Sequence, residues 1–254
     1  MKSSIIALVA LATAFVIPMP SVSASGKTLQ AYRHIQLNGH RVKWGAPLAG
    51  VGAVVTYATL DTSLRFPAAR NCRAMVPMTS LLAASGVSRR SFETELRAAF
   101  DLWSAVADIR FERATRAESA DILIGAQAEP RGRAFTNIEF DDAGTLGGIR
   151  ELTRSTICFS PAERWKVGFD GNLDVYDLRY TLLHEIGHAI GLDHPAIDSQ
   201  LMDFRYSERF RAPQRGDVLG VAALYGPSGT PAAGVPDDAQ RIVRVRAQRI
   251  GNGG

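Results

Sequence analysis

The sequence predicts a mixed α and β fold in which a largely parallel sheet carries helices on its face. Two observations lead there. An apolar, β-branched run over residues 51–60 is followed by a long stretch of helical periodicity and then by two more short apolar runs, which is the order of strands feeding one sheet across a helix. With 254 residues, 46% of them hydrophobic, the chain can also bury one ordinary core, with residues to spare for a tail.

Each element has its own signal. Val54, Val55 and Tyr57 mark residues 51–60 as a strand. Residues 61–87 carry Pro67, Pro77 and Gly86 without a clear period and read as a loop with a short helical piece near 79–84. Over residues 91–107, Phe92, Leu96, Phe100 and Trp103 recur at helical spacing, and Ser88 or Ser91 can cap the start. Residues 109–113, 121–125 and 156–160 read as short strands. Residues 129–155 are rich in Gly, Arg and Asp, with an exposed edge strand possible over 133–140. A second helix fits residues 174–190, capped by Asn172 or Asp174 and stopped by Gly191. A third opens at Gly216 or Asp217, runs to Tyr225 and closes at Gly226.

The two ends read differently from the middle. Lys2, an apolar run over 5–17, Pro18 and Pro20, and the small residues Val22-Ser23-Ala24 have the form of a secretory signal cleaved after Ala24. The apolar run is shorter than the roughly 20 residues a spanning helix needs. Export is therefore expected, to the periplasm or the extracellular space, without stable membrane insertion after cleavage. Residues 25–45 are mixed and polar and read as an N-terminal arm. From Pro227 onward the composition is that of a linker and a flexible basic tail, 227–254. The formal net charge of +4 is too small and too dispersed to imply nucleic-acid binding. Two cysteines, Cys72 and Cys158, in an exported chain favour a disulfide, with free thiols or a metal or inhibitory role as alternatives.

The segment that carries chemistry is His184-Glu185-Ile186-Gly187-His188-Ala189-Ile190-Gly191-Leu192-Asp193-His194. Residues four apart share a helix face, so His184 and His188 project side by side and can hold one Zn²⁺. Glu185 falls beside the metal rather than on it, where a carboxylate can take a proton from the attacking water. Gly191 can adopt a positive φ, end the helix and let His194 return as third ligand. Three protein ligands and an open fourth position describe a catalytic zinc site. His34 and His40, the other two histidines, are expected to be exposed.

With Leu201-Met202-Asp203 following it, this segment resembles the metzincin signature and its Met-turn. The short interval from His194 to Met202, the run from Gly216 to Gly226, and the stretches around 99–104 and 120–124 are similar to the matrixin branch, the matrix-metalloproteinase-like peptidases. The resemblance spans about residues 42–226 and implies an α+β, zincin-like fold. That fold has a mixed, mostly parallel five-stranded sheet with one antiparallel edge strand, two long helices, and a small C-terminal subdomain holding the Met-turn and a third helix. It implies a catalytic domain over 46–226, Met202 as an apolar floor under the zinc, and Tyr180, four residues before His184, as the floor of the substrate pocket.

Departures qualify the resemblance. Residues 125–160 contain no histidine, so the family's structural zinc is not expected. Calcium remains possible through Asp141, Asp142, Asp170 or Asp174, which also suit turns and caps. Cys72 follows the first strand in Asn71-Cys72-Arg73, which does not fit the family's inhibitory cysteine. Gly216-Asp217 stands where paired Asp is usual, leaving Asp217 to brace the Met-turn. Phe204 stands where serralysins place a Tyr ligand. The expected activity is that of a monomeric zinc endopeptidase acting on protein or peptide substrates. The alternatives are a zinc hydrolase of a non-protein amide such as a cell-wall peptide, and an inactive zinc-containing binding protein.

Overall fold

The computed structural model describes residues 31–143 and 148–229. The segment expected to be a secretory signal, 1–24, and the expected tail beyond residue 229 lie outside them. In chain order the principal elements are β1 (His40–Lys43), β2 (Ala53–Thr59), α1 (Arg89–Ser104), β3 (Ile109–Arg113), β4 (Ile122–Gln127), β5 (Ala134–Phe140), β6 (Ile149–Phe159), α2 (Leu178–Ala189) and α3 (Arg215–Tyr225). Five strands lie side by side in the order β3-β2-β4-β6-β5. The first three pairings are parallel and the last is antiparallel, which is the sheet that the matrixin resemblance implied. β4 is buried along its whole length, as its apolar run requires of a central parallel strand. A short antiparallel pair, Leu64–Arg65 with Ala74–Val76, extends the sheet at the end of β4.

The helix α1 buries Phe92, Leu96, Ala99, Phe100 and Trp103, the stripe read from the sequence. Phe100 stacks on Tyr57 of β2 with ring centroids 4.0 Å apart. Trp103 passes between the two long helices and donates Nε1–H to the Leu183 carbonyl of α2 at 3.0 Å, so its one polar atom is satisfied inside the core. Ser88 caps α1, accepting from the Ser91 amide at 3.0 Å.

Several boundaries differ from the sequence reading. The strand expected at 156–160 is the second half of β6, which begins at Ile149. Its buried positions Ile149, Leu152 and Ser155 fall three apart because the ladder is irregular between Leu152 and Arg154, so no period of two is visible. The strand expected at 121–125 spans Ile122–Gln127. Helix α2 starts later than expected, at Leu178. Asp177, not Asn172 or Asp174, is its cap, accepting from the Tyr180 amide at 2.9 Å. Tyr176–Asp177 is extended and pairs with Trp165–Lys166. Asn172 instead closes a turn, accepting from the Asp174 amide.

Residues 33–43, read as part of a polar arm, are woven into the body. Arg33–His34 pairs with Leu192–Asp193, and β1 runs parallel to the first residues of β6. Val42 and Lys43 are fully buried. Lys43 has no carboxylate within ion-pair distance among the described residues, although Glu151 stands opposite it in the ladder. Its ammonium donates to the carbonyls of Trp44 and Ala46 at 2.8 and 2.7 Å and lies 4.9 Å from the Tyr225 ring centre. Burial lowers its pKa to about 8. His34 and His40, expected to be exposed, are half-buried, and His34 Nε2 lies 2.8 Å from the Gly220 carbonyl. Cys72 and Cys158 form a disulfide across 86 residues, which in the chain-entropy view stabilises the fold by about 4–5 kcal/mol.

The chain reverses after α2 at Gly191, which has φ +102°. A Cβ there would overlap the Val42 carbonyl oxygen, and Ile35 donates its amide to the Gly191 carbonyl at 2.9 Å. Both the dihedral and the close approach demand glycine. Replacing it, Gly191→Ala, is expected to cost at least about 2 kcal/mol, because the backbone it would strike cannot swing aside. Urea unfolding of the metal-free variant measures this, and an unchanged midpoint would contradict the packing described.

Candidate active site

Three histidines meet where α2 ends. His184 and His188 lie one turn apart on the same face, with ring centroids 4.8 Å apart. The reversal at Gly191 leads into Leu192–Asp193 and returns His194 to that face. His194 Nε2 is then 3.1 Å from His184 Nε2 and 3.2 Å from His188 Nε2. A proton on His194 Nε2 would make one of these contacts a hydrogen bond, and the second nitrogens of the other two rings fix what those rings offer. His184 Nδ1 is 3.0 Å from the Leu201 carbonyl and His188 Nδ1 is 2.8 Å from the Leu192 carbonyl. A carbonyl only accepts, so both protons sit on Nδ1 and the two Nε2 atoms carry bare lone pairs. Bare nitrogens at this spacing suit a shared cation. Tetrahedral zinc with Zn–N of 2.0–2.1 Å places its nitrogens about 3.3 Å apart. Burial lowers the pKa of all three imidazoles, His184 well below its usual value and His194 to about 4, which keeps them in the neutral, ligating form. The donor set therefore fits Zn²⁺.

Glu185 turns its carboxylate toward the edge strand. Thr136 of β5 donates its hydroxyl to Glu185 Oε2 at 2.7 Å and lies 2.9 Å from the Glu185 carbonyl. Burial pushes the Glu185 carboxyl up to about 7, while Thr136 and the charge of Arg133 pull it down. A dication among the histidines would draw it further toward the ionised form. The residue thus sits near the middle of the range useful for moving protons at neutral pH. A cavity of about 410 Å³ opens over these groups, walled by β5 on one side and by residues 203–206 on the other.

Beneath the histidines lies Met202, 2% exposed. Gly187, inside the histidine motif, admits it: a Cβ there would overlap Met202 Sδ and crowd Trp103. Asp217 of α3 holds this turn. Its carboxylate accepts from the amides of Leu201 at 2.8 Å, Met202 at 3.1 Å and Gln214 at 2.7 Å. Burial raises its pKa to about 6 against those three donors, leaving it ionised at neutral pH. Tyr180 is buried on the wall of the cavity, its hydroxyl donating to the Arg205 carbonyl at 3.3 Å and its ring edge-on to Tyr206. Phe204 is 70% exposed and packs against His194.

All six residues singled out from the sequence, His184, Glu185, His188, His194, Met202 and Tyr180, therefore gather at one place. Among the described residues the three histidines are the grouping of three or more potential metal ligands, their donor atoms within 4.8 Å of one another. Three of the four candidate calcium ligands have their carboxylates engaged otherwise, and the fourth takes part in a turn through its backbone. Asp141 accepts from the Ala143 amide, Asp142 pairs with Arg150, Asp170 pairs with Lys166, and Asp174 lies in the turn closed by Asn172. Sequence reading missed Thr136 and Arg133, which a strand pattern marks only as alternating positions. It also missed the ion network behind the pocket, in which Arg211 bridges Asp177 and Glu95 while Arg179 pairs with Glu95.

Residues 79–226 match the family model described as matrixin. The chain belongs to the matrixin family. Among similar matrixins, metalloendoproteinase 1-MMP of Arabidopsis thaliana is 34% identical over 142 residues, 54% of this chain and 38% of that protein. Interstitial collagenase of Oryctolagus cuniculus is 28% identical over 164 residues, 61% of this chain and 33% of that protein. Matrix metalloproteinase-20 of Homo sapiens is 34% identical over 137 residues, 51% of this chain and 26% of that protein. The chain thus spans between about a quarter and two fifths of the length of these relatives.

In this matrixin the carboxylate of Asp217 is the link between α3 and the turn under the metal site. Asp217→Asn presents an NH₂ where an amide donor already points. The variant is expected to lose about 2–4 kcal/mol of stability and at least about tenfold in zinc affinity, with all three histidines intact. Chemical unfolding and competition with a zinc chelator measure the two losses, and wild-type values in both would remove Asp217 from this role.

Proposed function

We propose that this matrixin is an exported zinc-dependent endopeptidase that hydrolyses peptide bonds with Glu185 as general base. The observation that carries the reading is the set of three converging imidazole nitrogens, those of His184 and His188 bare, with a buried carboxylate beside them, in a cleft bounded by a strand whose outer edge is open. Export to the periplasm or outside the cell follows from the signal-like first 24 residues. No helix among the described residues is long and apolar enough to cross a membrane. A monomer acting on protein or peptide, without nucleic acid, fits the modest charge.

β5 pairs with β6 along one side only, so an extended peptide can add to its other edge through main-chain hydrogen bonds. His184, His188 and His194 would hold zinc, which supplies a Lewis acid that polarises the scissile carbonyl and acidifies water. Glu185 takes a proton from the attacking water and delivers it to the leaving nitrogen. Thr136 keeps that carboxylate at one side of the cleft, on the strand where the substrate lies. The side chain after the scissile bond enters the cavity toward Tyr180.

Two variants separate the roles of base and ligand. Glu185→Ala keeps its zinc and loses casein-degrading activity to a few percent or less, whereas His194→Ala loses metal and activity together. Metal analysis beside a casein digest, with and without chelator, reads both. Substantial activity in zinc-loaded Glu185→Ala, or full zinc occupancy in His194→Ala, overturns the assignment. A wild type that holds zinc but leaves casein and gelatin intact sinks the endopeptidase reading itself.

Tyr180 limits the depth of the pocket. Leu, Ile or Met is expected after the scissile bond, with long aromatic residues disfavoured. Tyr180→Ala removes the ring and deepens the cavity, so its relative rate on peptides with bulky residues at that position rises about tenfold. A peptide-library profile that does not change would leave Tyr180 a packing residue only.

A further inference from the structure

The walls of the cleft carry unpaired positive charge on the side where substrate must lie. Arg133 precedes β5 and lines the main cavity. Its guanidinium lies 5.1 Å from the Tyr176 ring centre, and NH2 reaches the Phe204 carbonyl only at 3.5 Å. Phe135, two residues on, lines both this cavity and a second, smaller cleft of about 120 Å³. The second cleft is bordered by Arg70, Arg73 and Arg131. Among the described residues none of these four arginines has a carboxylate within ion-pair distance. Opposing carboxylates are few: Glu129 borders the small cleft, and the large one holds Asp203, which accepts from the Arg205 amide, and the buried Glu185, on which the charge of Arg133 acts.

The placement is built rather than incidental. The disulfide ties Cys72 to Cys158 of β6, and Cys158 stands opposite Phe135 in the ladder. Arg70 and Arg73 flank that anchor, and the Arg70 amide donates to Asn137 Oδ1 of β5 at 3.2 Å. The loop bearing two of the arginines is therefore fastened to the edge strand itself. Strand alternation puts Phe135 and Asn137 on the sheet face opposite Thr136, so a peptide adding to β5 would turn alternate side chains toward Arg133 on the histidine side and toward Arg70, Arg73 and Arg131 on the other. An unpaired guanidinium offers a fork of donors that a carboxylate fills and an ammonium repels.

We propose that this cleft selects peptide substrates bearing acidic side chains on the residues flanking the scissile bond, read by Arg133 in the main cavity and by Arg70, Arg73 and Arg131 in the adjoining cleft. The preference rests on the endopeptidase reading above and adds the chemical class of its substrate. It is compatible with an apolar residue reaching Tyr180, because the arginines border the cleft while the tyrosine lines its wall.

The test is a set of fluorogenic peptides in which Glu, Gln or Lys is scanned through the three positions on either side of one scissile bond, with casein digestion in parallel. At one or more positions Glu is expected to exceed Gln in kcat/KM by about fivefold, with Lys below Gln, as for a partly exposed charge pair. Raising the salt to about 0.5 M narrows the ratio. Arg133→Gln and the triple variant R70Q/R73Q/R131Q each bring Glu and Gln together at a different position. Glu no better than Gln at every position in the wild type, with casein still digested, overturns the acidic preference alone. Neither peptides nor casein cleaved by zinc-loaded protein removes the endopeptidase reading and the preference with it.

Discussion

Three imidazole nitrogens converge on one point, His194 Nε2 standing 3.1 and 3.2 Å from those of His184 and His188, and much of the surrounding structure serves to hold that arrangement open to one cation. Two of the rings are fixed through their second nitrogens by backbone carbonyls. Each carbonyl is itself held. Leu201, which orients His184, has its amide bound by Asp217 of α3. Leu192, which orients His188, lies in a two-residue strand paired with Arg33–His34. The third helix and the first described strand are distant in sequence, yet both act on the ligands through one intermediate residue. That accounts for why residues near the N-terminus, polar by composition, are drawn into the body of the fold.

A second support lies behind the pocket. Asp177 caps α2, is fully buried, and also accepts from Arg211 in the loop after the Met-turn. Arg211 reaches on to Glu95 of α1, which Arg179 of α2 grips from the other side at 2.6 Å. Tyr206, from the same loop, accepts the Asp177 amide and stands edge-on to Tyr180. The start of the helix that bears the ligands and the loop that walls the substrate cavity are thereby joined through one set of charges. Removing either partner of such a buried pair strands the other in a low dielectric, so the pocket wall and the helix start are expected to move together or not at all.

What was legible in the sequence was local. The histidine motif states its own geometry, because four-residue spacing and a helix-ending glycine are backbone facts. The α1 stripe and the uniformly apolar β4 were equally plain. The failures share a cause. β6 hid because an irregular register at residues 152–154 replaces alternation with a spacing of three. The start of α2 was misplaced because Asn172, Asp174 and Asp177 are all good caps, and only the pairing of Tyr176–Asp177 with Trp165–Lys166 selects the last. Thr136 and Arg133 were invisible because their importance comes from what β5 faces, and that is decided by how sheet and helix pack, not by the strand's own pattern.

β5 is where these levels meet. Its inner edge completes the sheet by pairing with β6, which fixes the strand without consuming its outer edge. One of its side chains, Thr136, turns to α2 and bonds the carboxylate that follows the first histidine. Another, Phe135, divides two clefts, and the residue just before the strand, Arg133, faces the larger of them. A single edge strand thus positions the carboxylate proposed to move the proton, offers the backbone that an extended peptide would pair with, and lines the surface that its side chains would meet. The site can tolerate a variable exterior on such terms: the histidines and their braces depend on glycines, a cap and a buried aspartate, while the proposed recognition would depend on side chains around one strand that leave those braces untouched.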